Sequence, residues 1–173
     1  MKVLIVVDMQ NDFISGSLGS SMAEAIVDRV AKFVDGFDGR IIFTRDTHQN
    51  DYLSTSEGQN LPIVHCIENS DGWQITDKIS VPAGAEIINK ETFGSLYLGA
   101  RLKELDNEER VECVTLVGLC TDICVISNAY IVKAALPEAN VVIDASLCAG
   151  VSEESHKTAL AAMKACQISV IGE

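Results

Sequence analysis

The run Val3-Leu-Ile-Val-Val7, ending directly on Asp8, is the stretch from which the fold is read. Five consecutive apolar residues without polar alternation are the pattern of a strand buried on both faces, as in a parallel sheet. Arg40–Thr44, Cys113–Val117, Asn140–Ile143 and Gln167–Ile171 repeat it. Between them lie segments with helical spacing of apolar residues: Met22 to Val34, Leu96 to Leu105, Asp122 to Leu136, and Glu153 to Cys166 after the turn at Gly150. Strand alternating with helix predicts α/β: a single domain over residues 1–173, three-layered α/β/α around a central, mostly parallel sheet. Residues 46–95 depart from this rhythm, holding much Gly, Pro, Asn and Ser and little helical periodicity. A long loop of that kind is usually either functional or disordered. Its two histidines and its apolar patches, Leu61 to Val64 and Trp73 to Ile75, speak for function.

The bulk properties narrow the partners. With 173 residues, 47% of them hydrophobic, the chain can bury one sizeable core. A formal net charge of −12 opposes binding to nucleic acid or to an anionic membrane surface. The N-terminal apolar run meets Asp8 too soon to be a signal-peptide core or to span a bilayer, so a soluble, cytoplasmic protein is expected. Its six cysteines (66, 113, 120, 124, 148 and 166) are then expected to be reduced, and buried free cysteine behaves as a small hydrophobe.

Ligands of open α/β sheets bind beyond the carboxyl ends of the strands. Three polar elements reach that edge: Asp8 after the first strand, Asp46 after the second, and Gly118-Leu-Cys-Thr-Asp-Ile-Cys124, which leads into a helix. With Thr121 or Asp122 as N-cap, Cys124 falls in the first turn, where free N–H groups and the helix dipole would lower a thiol pKa and could receive an oxyanion. Asp8, a carboxylate at the end of a buried strand, needs a partner, and Lys90 is one candidate. Carboxylate, ammonium and thiol together would make an acid/base-assisted nucleophile.

The strings Val-Val-Asp8-Met-Gln-Asn-Asp-Phe13, Thr44-Arg-Asp46-Thr-His48, Leu61-Pro-Ile-Val-His65-Cys, Lys90-Glu-Thr-Phe93-Gly-Ser95 and Gly118-Leu-Cys-Thr-Asp-Ile-Cys124-Val resemble, in order, the motifs of the isochorismatase-like cysteine hydrolases, and of the nicotinamidases among them. The resemblance runs from residue 3 to about 165 and implies Asp8, Lys90 and Cys124 as the catalytic triad. It implies a cis peptide between Leu119 and Cys120, with the backbone amides of Cys120 and Cys124 as the oxyanion hole. Cys120 then contributes its backbone; it and Cys66, Cys113, Cys148 and Cys166 are read as small buried residues.

Asp46 and His48, two apart in an extended segment, can point to one side, and His65 follows in the same loop. The resemblance makes these three the ligands of one divalent transition metal ion, with Glu57 a further ligand, direct or through water, as in some members. Mixed carboxylate and imidazole donors suit zinc, iron or manganese; zinc is the expectation. The implied activity is hydrolysis of nicotinamide to nicotinate and ammonia through a thioester, in NAD salvage, by a homo-oligomer. Phe13 and Phe93 are candidates for the pocket wall around a flat ring, and His156 for a cap or packing residue. One departure is Pro62, where nicotinamidases often carry an aromatic; Trp73 and Tyr97 are the candidates to compensate. Two rivals remain: a related hydrolase of another small amide, a carbamoyl or ureido compound or isochorismate, and a non-catalytic metal-binding or thiol redox protein.

Overall fold

Each strand of the sheet runs parallel to its neighbours. In the computed structural model, which describes residues 1–173, β1 (Lys2–Val7), β2 (Arg40–Asp46), β3 (Glu86–Lys90), β4 (Cys113–Leu119), β5 (Asn140–Ala149) and β6 (Ser169–Ile171) lie in the order β3-β2-β1-β4-β5-β6. The chain builds outward from β1 in one direction, then returns to build outward in the other. That reversal falls between β1 and β4 and opens the crevice in which doubly wound sheets bind ligands. Val3 to Val7 are fully buried, as their uninterrupted apolar run requires of a central strand.

The helices are α1 (Asn11–Ile14), α2 (Ser21–Asp35), α3 (Ser56–Asn60), α4 (Leu96–Glu108), α5 (Ile126–Ala135) and α6 (Glu153–Ala165). α2 starts where the Ser20 hydroxyl accepts the Ala23 N–H and ends at Gly36. Its stripe Ala23, Ile26, Val27, Val30 and Val34 is buried in one cluster with Leu4, Val6, Ile41 and Phe43 of the sheet. On the opposite face, Leu98, Leu102 and Leu105 of α4, Ala129 and Val132 of α5, and Leu160 and Met163 of α6 share a cluster with Val3, Ile5, Val114 and Ile143. Burying each large aliphatic side chain contributes roughly 1.5–3 kcal/mol, so packing rather than helix propensity holds these layers.

The sheet is wholly parallel, and it has one strand more than the apolar runs predict. β3 is an edge strand in which Ile88 and Lys90 are buried while Ile87 and Asn89 face out, so it lacks the continuous run that marks β1. β5 continues past Ile143 to Ala149. The expected helix from Asp122 begins instead as a π turn, Thr121–Val125, before α5. At Gly118, φ is +116° and a Cβ would stand 2.1 Å from the Val7 carbonyl oxygen, so only glycine lets β4 pass the end of β1 there. Cys166 is exposed at the end of α6, and Cys113 and Cys120 are only partly buried, which corrects their reading as core residues. No helix is long and apolar enough to cross a membrane.

Candidate active site

Asp8 directly follows β1 and takes φ +47°, a left-handed conformation that aspartate tolerates better than most residues. The turn directs its carboxylate across the ends of β2 and β3. There the Thr44 hydroxyl donates to Oδ1 at 2.7 Å. Lys90, the last residue of β3, brings its Nζ within 2.7 Å of Asp8 Oδ2. The same ammonium donates to Asp46 Oδ1 at 3.0 Å and to the Thr92 carbonyl at 3.1 Å, and lies 3.4 Å from Cys124 Sγ. The ends of β1, β2 and β3 and the turn after β4 thus converge on one cation. Asp8, Lys90 and Cys124 are all buried.

Burial pushes the Cys124 thiol well up, Asp8 and Asp46 push the same way, and Lys90 alone opposes them. The expectation of a lowered thiol pKa at a helix start is therefore reversed. A third anion beside two buried carboxylates costs more than one lysine recovers. Asp8 is likewise raised by burial, against the opposing charge of Lys90. Lys90 is held protonated: burial works against its charge, and Asp8, Cys124 and Asp46 outweigh it. The arrangement is a carboxylate and an ammonium 2.7 Å apart, with a buried thiol 3.4 Å from the ammonium.

Asp46 closes β2 and faces two ways. Its Oδ1 meets Lys90, while its Oδ2 lies 2.9 Å from His48 Nε2 and 3.5 Å from His65 Nε2. Glu57 Oε1 completes the group, 3.5 and 3.7 Å from the same two nitrogens. One donor atom from each of the four residues falls within 4.8 Å of the others. The Ile63 carbonyl, 2.8 Å from His65 Nδ1, takes that ring proton and leaves Nε2 as the free lone pair. His48 Nε2 and, at the thiol end, Asp8 Oδ2 are the buried side-chain atoms left without a well-formed hydrogen bond. Two facing carboxylates and an orphaned imidazole nitrogen fit a divalent cation, which would neutralise the one and satisfy the other. Burial would raise Asp46, but the two histidine rings beside it and the charge of Lys90 hold it well below the usual carboxylate range. Glu57 is raised by burial and by Asp46.

A cavity of about 550 Å³ connects the two groups, running from Asp46, Glu57 and His65 to Cys120 and Cys124. Phe13 and Phe93 both line it, the Phe13 ring 5.6 Å from that of His65. Neither Trp73 nor Tyr97 lines it. Trp73 is buried beneath the Arg45 guanidinium and donates to the Thr47 hydroxyl, and Tyr97 is exposed, so neither compensates for Pro62; aliphatic Leu61 lines the cavity. The Leu119–Cys120 peptide is cis, and the Cys120 carbonyl accepts from the Ile123 and Val125 amides at the start of the π turn. His156 is tied to that turn, its Nδ1 2.7 Å from the Thr121 hydroxyl.

Three supporting residues escape a reading of the sequence. Gln10, fully buried, clamps Asp46 by accepting its N–H and donating to its carbonyl. Thr44 orients Asp8. Tyr52 packs its ring 4.6 Å from His48 and 5.0 Å from His65 and donates to the Leu61 carbonyl. Gln10 and Thr44 stand inside quoted motifs, but nothing in composition or spacing assigns them a role, and Tyr52 lies in a stretch with no periodic signal.

A doubly wound parallel sheet with a buried ionic centre beyond its strand ends, at the switch point, places the chain among the open α/β proteins that bind ligands there. The chain matches the isochorismatase domain over residues 2–172 and belongs to that family. It is 28% identical to the nicotinamidase of Schizosaccharomyces pombe, over 98% of this chain and 92% of that protein. It is 27% identical to the nicotinamidase/pyrazinamidase of Mycobacterium tuberculosis, over 99% and 98%. Among solved structures, the pyrazinamidase of Pyrococcus horikoshii in complex with zinc superposes with a TM-score of 0.85 at 27% identity, covering 99% of each chain.

Proposed function

We propose that this chain is a nicotinamidase that hydrolyses nicotinamide to nicotinate and ammonia through a thioester on Cys124, supplying nicotinate for NAD salvage. One observation carries the reading: Cys124 Sγ stands 3.4 Å from the Lys90 ammonium, itself 2.7 Å from Asp8, at one end of a cavity whose other end holds the carboxylate–imidazole cluster. Asp46, His48, His65 and Glu57 would hold a divalent ion, zinc in the first instance, which supplies Lewis-acid affinity for a pyridine nitrogen.

Asp8 takes the Cys124 proton as sulfur attacks the carboxamide carbon. The amides of Cys120 and Cys124 receive the oxyanion, and Lys90 balances the negative charge as it passes from Asp8 through sulfur to that oxygen. Protonated Asp8 returns the proton to nitrogen, the C–N bond breaks and ammonia leaves. Asp8 then takes a proton from water, whose oxygen attacks the thioester; the C–S bond breaks and the thiol is restored. Phe13, Phe93 and Leu61 enclose the ring and exclude competing water.

Ammonia release from nicotinamide by the zinc-loaded protein tests the reading. Wild type should turn over, and Cys124→Ala should lose roughly 10⁴-fold or more with fold and metal content unchanged. No release by loaded wild type, with turnover of a ureido or enol-ether substrate, would overturn it.

A further inference from the structure

Asn128 has no exposed surface and lies on α5, one turn beyond Cys124. Its side-chain amide is fully engaged by backbone. Nδ2 donates to the Cys124 carbonyl at 2.8 Å and to the Phe93 carbonyl at 3.1 Å, and Oδ1 accepts the Ser95 N–H at 2.9 Å. The segment it grips descends from β3: Lys90 donates to the Thr92 carbonyl, Phe93 lines the cavity, and the Ser95 hydroxyl caps α4 at the Leu98 N–H. The neighbouring Gly94 fits tightly, since a Cβ there would lie 2.6 Å from Ile131 Cδ1 of the same helix.

From these contacts we infer that Asn128 is a positioning residue. It fixes the distance between the nucleophile's turn and the loop carrying both the Phe93 wall and the carbonyl that holds Lys90. This rests on Cys124 being the nucleophile. One planar amide with two donors and an acceptor spans three backbone groups from two elements, so a loss on either side moves reacting sulfur relative to bound ring. A neutral amide is also the group the place requires, because a carboxylate would face the Cys124 and Phe93 carbonyls as a like-signed acceptor. Displacement of the reacting atoms by about 1 Å costs on the order of 100-fold in rate.

The test is steady-state hydrolysis of nicotinamide by the zinc-loaded wild type, Asn128→Ala, Asn128→Asp and, as a control, Ser127→Ala. The control removes a bond from the same turn, the Ser127 hydroxyl to the Ile123 carbonyl, that does not reach the 92–95 segment. Both Asn128 variants should keep their circular dichroism spectrum and metal content, lose roughly 30- to 100-fold in kcat and change KM by less than about threefold, while Ser127→Ala stays within about threefold on both. If Asn128→Ala does not fold, the equal-sized Asn128→Asp carries the measurement. The inference fails if folded variants keep kcat within about threefold, if KM alone changes, or if both variants lose the native spectrum, which would make the residue structural only. Wild type that releases no ammonia would instead overturn the nicotinamidase reading on which the assay rests.

Discussion

The two ends of the cavity are built on different principles. At the thiol end, Asp8 and Lys90 come from the ends of parallel strands and are completed by one another, with Thr44 and the Thr92 carbonyl satisfying what is left. At the cluster end, His48, Glu57 and His65 come from the long connection between β2 and β3, and two carboxylates face two imidazoles around a nitrogen that has no partner. The first end carries its own cation, Lys90; the second sets two carboxylates against two imidazoles and would take a cation from outside. Asp46 belongs to both, one oxygen on each side.

The largest test of this contrast is Lys90→Ala. Removing one partner of a buried ion pair leaves charge uncompensated and costs about 3–5 kcal/mol. The melting temperature should therefore fall by roughly 6–20 °C, with turnover reduced at least about 10³-fold. A variant as stable and as active as wild type would refute a thiol end that depends on its own cation. His48→Ala should act in the opposite way: zinc affinity falls more than about 100-fold by equilibrium dialysis, while the metal-free melting temperature changes by no more than a few degrees. Unchanged metal content would remove His48 from the ligand set.

A smaller effect comes from pH. Burial works against protonation of His65, but the hydrogen bond and charge of Asp46, the Ile63 carbonyl and Glu57 together raise its pKa above the ordinary value. Protonated His65 therefore stabilises the metal-free fold, fully below the unfolded value of about 6.5, and the contribution is lost as pH rises through the higher folded value. A divalent ion needs the neutral ring, so zinc binding strengthens over that same interval. Thermal melts with and without zinc should diverge as pH rises from about 6 to about 8; parallel curves would contradict a cluster completed from outside.

The contrast also explains what the sequence discloses. β1, β2 and β4 are legible because strands buried on both faces must be apolar throughout, and Asp8 stands out by ending such a run. β3 is not, because an edge strand with one face outward alternates, and its last residue is a lysine buried only by virtue of partners remote in sequence. His48 and His65 meet through an isolated parallel bridge between His48 and Ile67, a pairing without periodicity. The motif resemblance names these residues. It does not reveal that burial raises the Cys124 thiol, which depends on how many anions share one lysine.

The most direct measurement is a crystal structure of the zinc-loaded protein soaked with pyridine-3-carbaldehyde, an electrophilic analogue of the amide. The mechanism predicts a covalent bond from Cys124 Sγ to the aldehyde carbon, with the ring nitrogen turned toward Asp46, His48 and His65. An aldehyde bonded to another residue, or lying unbonded with its ring nitrogen away from that cluster, would contradict it.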